Sequence, residues 1–494
     1  MALLSAAAGL LLAAGPGCSD GNSSADVNGG RAGSIAASGG AAGDTGRGGS
    51  GGAGSGTGGT SSGAAGATNA GRSASAGSNT GGAAGGGTTS AGGMGGAPPA
   101  GSSGTASGAG GTMGGAGASG VAGGGAPGGT AGGGGALAGA GGGAGTPTWC
   151  LPVSAHPDGV DWAKALIDSQ IRANVALTWE YPDGLFLHGV YLAYQRLKDP
   201  LYLALMKDWA DANLSGKSAY NSLDDMQPTL VLDDMYRETM DAKYGTAPKA
   251  VASRLESNYP KTSDGGFWHN TGATNQLWGD GVFMDLPPYV NYGDLFDHPQ
   301  AIDIATEQLI IYDSHLAATN NLHVHQWDGA ANKQSCCEWC RAEGWYEMAL
   351  LIVLDFTPST HANHDALVAI TARLAKGLAA TQDPDTGRWW QVMDKPEDQG
   401  NWLETSCTAM HTYFLSKASQ KGYIDAATYA PLAIKGFNGE MQMVSNANNV
   451  QIKSICPGTG VLASPAEYYA RPPATNDNHG LGAFLLMYDQ LTCR

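Results

Sequence analysis

The stretch "NQLWGDGVFMDLPPYV", residues 275–290, decides the fold. It opens on amides and a Trp, turns through Gly279, Asp280 and Gly281, and then runs apolar. An Asp directly before an apolar run is a common helix N-cap, because its carboxylate accepts from the first free backbone N–H groups. A carboxylate flanked by glycines also suits a place where a ligand approaches the backbone closely.

The pattern is not alone. "WEYPDGLFLHGVYLAY" from Trp179, "NSLDDMQPTLVLDDMY" from Asn221, "WCRAEGWYEMALLIVLD" from Trp339, "NWLETSCTAMHTYFLSKA" from Asn401 and "NDNHGLGAFLLMYDQL" from Asn476 share it. In each, a loop of polar residues, Gly and Trp leads straight into an apolar helix. The six recur at intervals on the order of 40 to 75 residues, longer than most solenoid repeats. Between them lies room for a second, more amphipathic helix. In "ANHDALVAITARLAKGLAATQ", for example, Leu367, Ile370, Leu374 and Leu378 fall on one face. Leu187, Val190, Tyr191 and Tyr194 do the same in the first stretch. Six apolar helices alternating with six amphipathic ones predict an all-α fold, an (α/α)6 barrel. The inner helices would all begin at one end, so their polar loops would converge on one pocket. An open helical-repeat array is the alternative. It does not explain why polar and aromatic residues cluster at one end of every unit.

This domain is predicted over residues 148–494, and it carries every aromatic residue of the chain. Residues 19–147 are nearly all Gly, Ala, Ser and Thr. Such a segment buries too little apolar surface to offset the entropy of ordering it, so it reads as a disordered linker. Its three acids (Asp20, Asp26, Asp44) cancel its three bases (Arg31, Arg47, Arg72), which leaves the formal charge of -17 on the domain. That charge argues against nucleic acid as a partner. Residues 1–18 contain an apolar run too short to span a bilayer and suited to a signal peptide. Cys18 follows small residues, as in a bacterial lipoprotein cleavage site. Export is the expectation, to the cell surface or periplasm, with lipid on Cys18 as the only membrane attachment. A plainly cleaved leader and a free protein is the alternative.

Cysteine usage fits export. Cys150 and Cys493 sit at the two ends of the domain, where a clasp is reasonable. Cys336, Cys337 and Cys340, with His323 and His325 upstream, invite a zinc reading, but the paired spacing of structural zinc sites is missing. Disulfides or buried thiols are the expectation, with no metal. The odd number of cysteines beyond Cys18 leaves at least one unpaired or intermolecular. "QDPDTGRWW", 382–390, has the acidic look of a calcium loop without its spacing and reads as a tight turn.

Several pieces in order resemble a known family. They are "GGFWH" at 265–269, "QLWGDGVFM" at 276–284, "HQWD" at 325–328, "RAEGWYEMALLIVLDF" from Arg341, "NWLETS" at 401–406 and the closing "EYY…NDNHGLGAFLLM". From Trp179 to Leu491 the chain resembles glycoside hydrolase family 105, the unsaturated rhamnogalacturonyl hydrolases, and more distantly family 88. The resemblance implies an (α/α)6 barrel. It also implies a hydrolase that releases an unsaturated uronic acid from the non-reducing end of lyase-generated oligosaccharides of pectin or rhamnogalacturonan type. It implies that Asp280 is the general acid/base and Asp224 the second pocket carboxylate. His269, His325, Trp339, Arg341 and Trp345 match pocket positions. The "CCEWC" run around Trp339 and the Gln227-Pro228 pair depart from the family's pattern.

The chemistry of these residue types agrees. Ordinary glycosidases use two carboxylates. Hydration of a C4–C5 double bond needs one group that gives a proton and then takes one from water, and it needs no cofactor or metal. Trp278 and Phe283 beside Asp280 are expected to desolvate it and raise its pKa, with Asp224 adding to the rise. The helix cap is the alternative for Asp280 and for the Asp224-Asp225 pair. Arg341 suits a uronate carboxylate, with a salt bridge to Glu338 or Glu343 as the alternative. Trp179, Trp278, Trp339 and Trp345 suit sugar faces, with core packing as the alternative. Met284, Met348 and Met410 belong to the core. Two other functions fit the same barrel: a non-catalytic sugar-binding lipoprotein, and a hydrolase of saturated glycosides.

Overall fold

The computed structural model describes residues 149–151 and 159–492. The leader, Cys18, the whole Gly-rich segment and Cys493 lie outside them. The chain divides at Pro127 into two units, and every described residue belongs to the second.

Six helices are buried over most of their length: α2 (Tyr181–Leu197), α4 (Thr229–Thr239), α6 (Gly281–Leu295), α8 (Cys340–Phe356), α10 (Thr405–Lys421) and α13 (Asn478–Leu491). Every residue of α8 from Cys340 to Leu354 is buried. A helix with no solvent face has to sit among other helices. Accordingly α2 packs on α4, α4 on α6, α6 on α8, α8 on α10, α10 on α13, and α13 returns to α2. The more amphipathic helices lie outside them: α1 (Trp162–Ala173), α3 (Pro200–Ala212), α5 (Thr246–Ser257), α7 (Gln300–Leu316), α9 (His364–Thr381) and α11 (Ala426–Met441), and a short helix, α12 (Pro465–Tyr469), precedes α13. The face read in α9 is the buried one, with Leu367, Leu374 and Leu378 fully enclosed.

Helix ends follow local chemistry. The Asp161, Asp199 and Asp425 side chains cap α1, α3 and α11. Glu404 caps α10 by accepting from the Ser406 and Cys407 N–H groups. Pro287 and Pro288 lie inside α6, and the Asn291 side-chain amide donates to the Pro287 carbonyl at 2.9 Å. The prolines carry no N–H, so the carbonyls four residues earlier, those of Phe283 and Met284, lose their helical donors.

The connections above the helix starts carry short strands. β1 (Gln276–Trp278), β2 (Gln326–Asp328) and β3 (Lys333–Gln334) form an antiparallel sheet in that order, with Trp278 opposite Gln326 and Asp328 opposite Lys333. The "QDPDTGRWW" stretch is a turn: the Asp383 carboxylate accepts from the Thr386 N–H at 2.7 Å, and Gly387 takes φ +78°.

At the domain's ends, the Leu151 N–H donates to the Leu491 carbonyl at 2.7 Å. Cys150 is disulfide-bonded. Cys340 bonds to Cys407 and Cys336 to its neighbour Cys337, which leaves Cys456 as a buried free thiol among the described residues. The cysteines of the zinc reading are thus paired with sulfur. Its two histidines face carboxylates, His323 at Asp313 and His325 at Asp280.

Candidate active site

A cavity of about 450 Å³ opens where four of the inner helices begin. Tyr181 at the start of α2, Asp224 ahead of α4, Asp280 ahead of α6 and His479 at the start of α13 line it, with His269 and Trp278 from the intervening loops. Gly458, Thr459 and Gly460 lie along the same wall.

Asp280 does not cap its helix. It takes helical dihedrals, φ -62° and ψ -35°, and its side chain accepts no capping hydrogen bond. Its Oδ2 faces His325 Nε2 at 3.0 Å. No described residue donates to its Oδ1, which is left for the cavity. His325 is fully buried, and its Nδ1 meets the Tyr468 hydroxyl at 2.7 Å. The glycines beside Asp280 serve packing rather than a ligand. A Cβ on Gly281 would come within 2.9 Å of the Tyr312 hydroxyl, and one on Gly279 within 3.3 Å of the Ala342 carbonyl.

The neighbouring pair of acids divides its labour. Ser222 and Asp225 form a capping box around the short 3-10 turn Leu223–Asp225, with Asp225 accepting from the Ser222 N–H at 3.2 Å. Asp224 is free of that duty and approaches His269 Nε2 at 3.6 Å. His269 stacks flat on Trp278, centroids 4.2 Å apart and planes 6° apart.

A family profile, Glycosyl Hydrolase Family 88, matches residues 162–492. The chain belongs to glycosyl hydrolase family 88. It is similar to the unsaturated rhamnogalacturonyl hydrolase YesR of Bacillus subtilis, 25% identical over 241 residues, which are 47% of this chain and 68% of that one. It is also 23% identical over 370 residues to an unsaturated 3S-rhamnoglycuronyl hydrolase of Formosa agariphila, covering 65% of this chain and 90% of that protein. Among solved structures, a family 105 glycoside hydrolase of C. acetobutylicum superposes with a TM-score of 0.64 at 28% identity, over 67% of this chain and 99% of that chain. The protein is therefore a glycoside hydrolase, with structural neighbours in family 105 as its motifs led one to expect.

Within this family 88 hydrolase, the other motif positions lie around the cavity rather than along it. Trp345 is fully buried against Phe283 and the edge of Tyr181. Trp339 is buried under Tyr468 and beside His325. Trp179 stacks on Trp209 and donates its indole N–H to the Asp225 carbonyl at 2.9 Å. Arg341 meets neither Glu338 nor Glu343. It is wholly buried, lies over the Trp339 ring, and donates to the carbonyls of Cys456 and Pro457. Cys456, Pro457 and Tyr468 close over Trp339 and Arg341, which separates those two from the cavity. Met284 is buried and still reaches the lining, whereas Met348 and Met410 belong to the core.

The electrostatics reverse one expectation. Burial pushes the Asp280 carboxyl up, but the hydrogen bond and charge of His325, with His269 and Arg341 behind it, outweigh burial and hold it below the usual carboxylate range. Burial likewise pushes His269 down, and Asp224 and Asp280 lift it above the usual imidazole range. The free site thus favours an ionised Asp280 among positive neighbours.

Tyr181 and His479 carry no expectation from sequence. The Tyr181 hydroxyl meets His479 Nε2 at 2.8 Å, and His479 Nδ1 meets Asp477 at 2.6 Å. Burial raises the Tyr181 phenol and lowers His479. Each is a single polar residue within a helix start already quoted. A count of polar residues at the six starts would have flagged them.

Proposed function

We propose that this hydrolase releases an unsaturated uronic acid from the non-reducing end of lyase-generated oligosaccharides, on a closed (α/α)6 barrel. The cyclic order of the six helix contacts supports the barrel. The observation that carries the reaction is the open Oδ1 of Asp280, a carboxylate relieved of capping and held by one histidine.

The sugar ring sits against Trp278 and His269, with C4 at Asp280. Its uronate brings a negative charge into a site where cations hold Asp280 ionised, and it displaces water. Both effects raise the pKa of Asp280 and favour the protonated form. Asp280 gives its proton to C4, and positive charge develops at C5 and the ring oxygen. Water adds at C5 and loses a proton back to Asp280. The hemiketal opens between C5 and the ring oxygen, C1 becomes a hemiacetal, and its collapse expels the remaining chain as an alcohol. Asp224 and His269 hold hydroxyls of the same ring. Arg341 acts as a positioning residue by fixing the 456–460 wall.

The test is loss of the ultraviolet absorbance of the double bond with a panel of unsaturated oligosaccharides. Wild type should remove it, and Asp280→Asn should lower kcat about 10²- to 10⁴-fold, the range of a general acid/base. Asp280→Asn should still bind. A wild type that binds the panel but leaves every double bond intact sinks the hydrolytic reading in favour of a sugar-binding protein. Sugar release without loss of absorbance would mean a hydrolase of saturated glycosides.

A further inference from the structure

A second cavity, of about 460 Å³, adjoins the first. Gln326, Asp328 and Lys333 line one side, Val461 and Leu462 the other, with Cys336 beside them. Two features join the cavities. Trp278 lines the first and lies directly opposite Gln326 in the β1–β2 register. Directly opposed residues project from the same face of a sheet. Asp328 is two residues beyond Gln326, and Lys333 is the register partner of Asp328, so both share that face. One sheet face therefore runs from the catalytic cavity into the second. On the facing wall, Gly460 lines the first cavity and Val461 the second, and consecutive Cα atoms stand only about 3.8 Å apart.

The charge of this groove is distinctive. Lys333 is exposed and makes no ion pair among the described residues. The Asp328 carboxylate is turned onto its own loop, where it accepts from the Ala330 and Ala331 N–H groups. An unpaired ammonium thus stands in the groove of a chain whose net charge is -17. The groove is also tied to the catalytic strand. The Cys337 carbonyl accepts from the His325 N–H at 3.0 Å, and the Ser335 N–H donates to the Gln326 carbonyl at 2.7 Å. Cys336 and Cys337 are bonded to each other, which stiffens this corner.

We propose that the groove is a subsite for the reducing-side sugars of the oligosaccharide, and that Lys333 selects chains bearing an anionic substituent there, a uronate carboxylate or a sulfate ester. This rests on the first cavity holding the terminal unsaturated residue. A single exposed pair contributes at most a factor of about five. The effect should weaken with salt, because the ammonium is exposed.

The experiment is equilibrium titration of Asp280→Asn protein with an unsaturated disaccharide and with tetrasaccharides in two arms, one carboxylated and one sulfated beyond the second sugar. At least one tetrasaccharide should bind more tightly than the disaccharide, by up to about fivefold. Lys333→Gln in the same background should remove most of that difference, and Val461→Glu, on the facing wall, should reverse it. Equal affinities in both arms, no binding at all, or a Lys333→Gln loss shared equally by disaccharide and tetrasaccharide would overturn the subsite. Wild-type turnover of the disaccharide is scored separately. Its absence refutes the hydrolytic reading, while the binding ratio still decides the subsite.

Discussion

Replacing Tyr468 by Phe tests how Asp280 is held. The Tyr468 oxygen accepts from the Leu462 N–H at 3.1 Å, and its one proton has His325 Nδ1 as a partner at 2.7 Å. Donation to Nδ1 places the imidazole's own proton on Nε2, facing Asp280 Oδ2 at 3.0 Å. The His325 Nε2–H then donates to the Asp280 carboxylate. Phe removes the donor to Nδ1. His325 is fully buried, so an unmet lone pair there costs about 1–3 kcal/mol. If the proton moves to Nδ1 instead, a lone pair on Nε2 faces the carboxylate. Both outcomes withdraw support from the anion, and the pKa of Asp280 rises. At 1.36 kcal/mol per unit, the same energy is about one to two pKa units. An acid catalyst works protonated, so activity is lost as pH rises through its pKa. The descending limb of kcat/KM should therefore move about one to two units toward higher pH in Tyr468→Phe. The assay is the pH profile of absorbance loss, with melting temperature measured alongside. A purely structural role for Tyr468 would lower the melting temperature and leave the limb in place. A limb that stays, or moves to lower pH, refutes the relay.

Arg341→Leu should destabilise the fold by about 3–5 kcal/mol in urea unfolding, because the Cys456 and Pro457 carbonyls lose a buried charged donor. A loss under about 1 kcal/mol would show that Arg341 does not hold that wall. Burial pushes His323 down, but Glu343 and Asp313 lift it to about 9. A raised imidazole stabilises fully below its unfolded value of 6.5 and loses that contribution as pH rises through about 9. The advantage of wild type over His323→Gln should thus be about 3 kcal/mol at mildly acid pH and fade toward pH 9. An advantage independent of pH contradicts the assignment. Feeding expressing cells a labelled fatty acid should mark the wild-type protein and spare Cys18→Ser; label on both, or on neither, rules out a lipid at Cys18.

Reading the chain in order goes well where a structural cause is local and fails where partners arrive from afar. The six helix starts are legible because an apolar run with a polar, Gly-containing loop before it states both a buried helix and its end. The same locality misleads at Asp280. Trp278 and Phe283 are its chain neighbours and suggest a desolvated, protonated acid, yet the groups that set its charge are His325 and His269, brought from other loops. Asp224 and Asp225 differ by one position, and nothing in their order says which will cap. The capping box with Ser222 takes Asp225, and only then is Asp224 left for the cavity. Trp339, Arg341 and Trp345 stand at positions that match a sugar pocket, but Tyr468 and the carbonyls of residues 456–457, more than a hundred residues later, close over Trp339 and Arg341. Their burial matters to the chemistry. On the proposed reaction, a guanidinium exposed in the cavity would compete for a uronate carboxylate, whereas one sealed behind Asp280 lowers the carboxyl's pKa until the uronate arrives. On that same proposed reaction, the substrate's own charge then returns Asp280 to its acid form, so protonation follows binding and an empty site carries no misplaced acid.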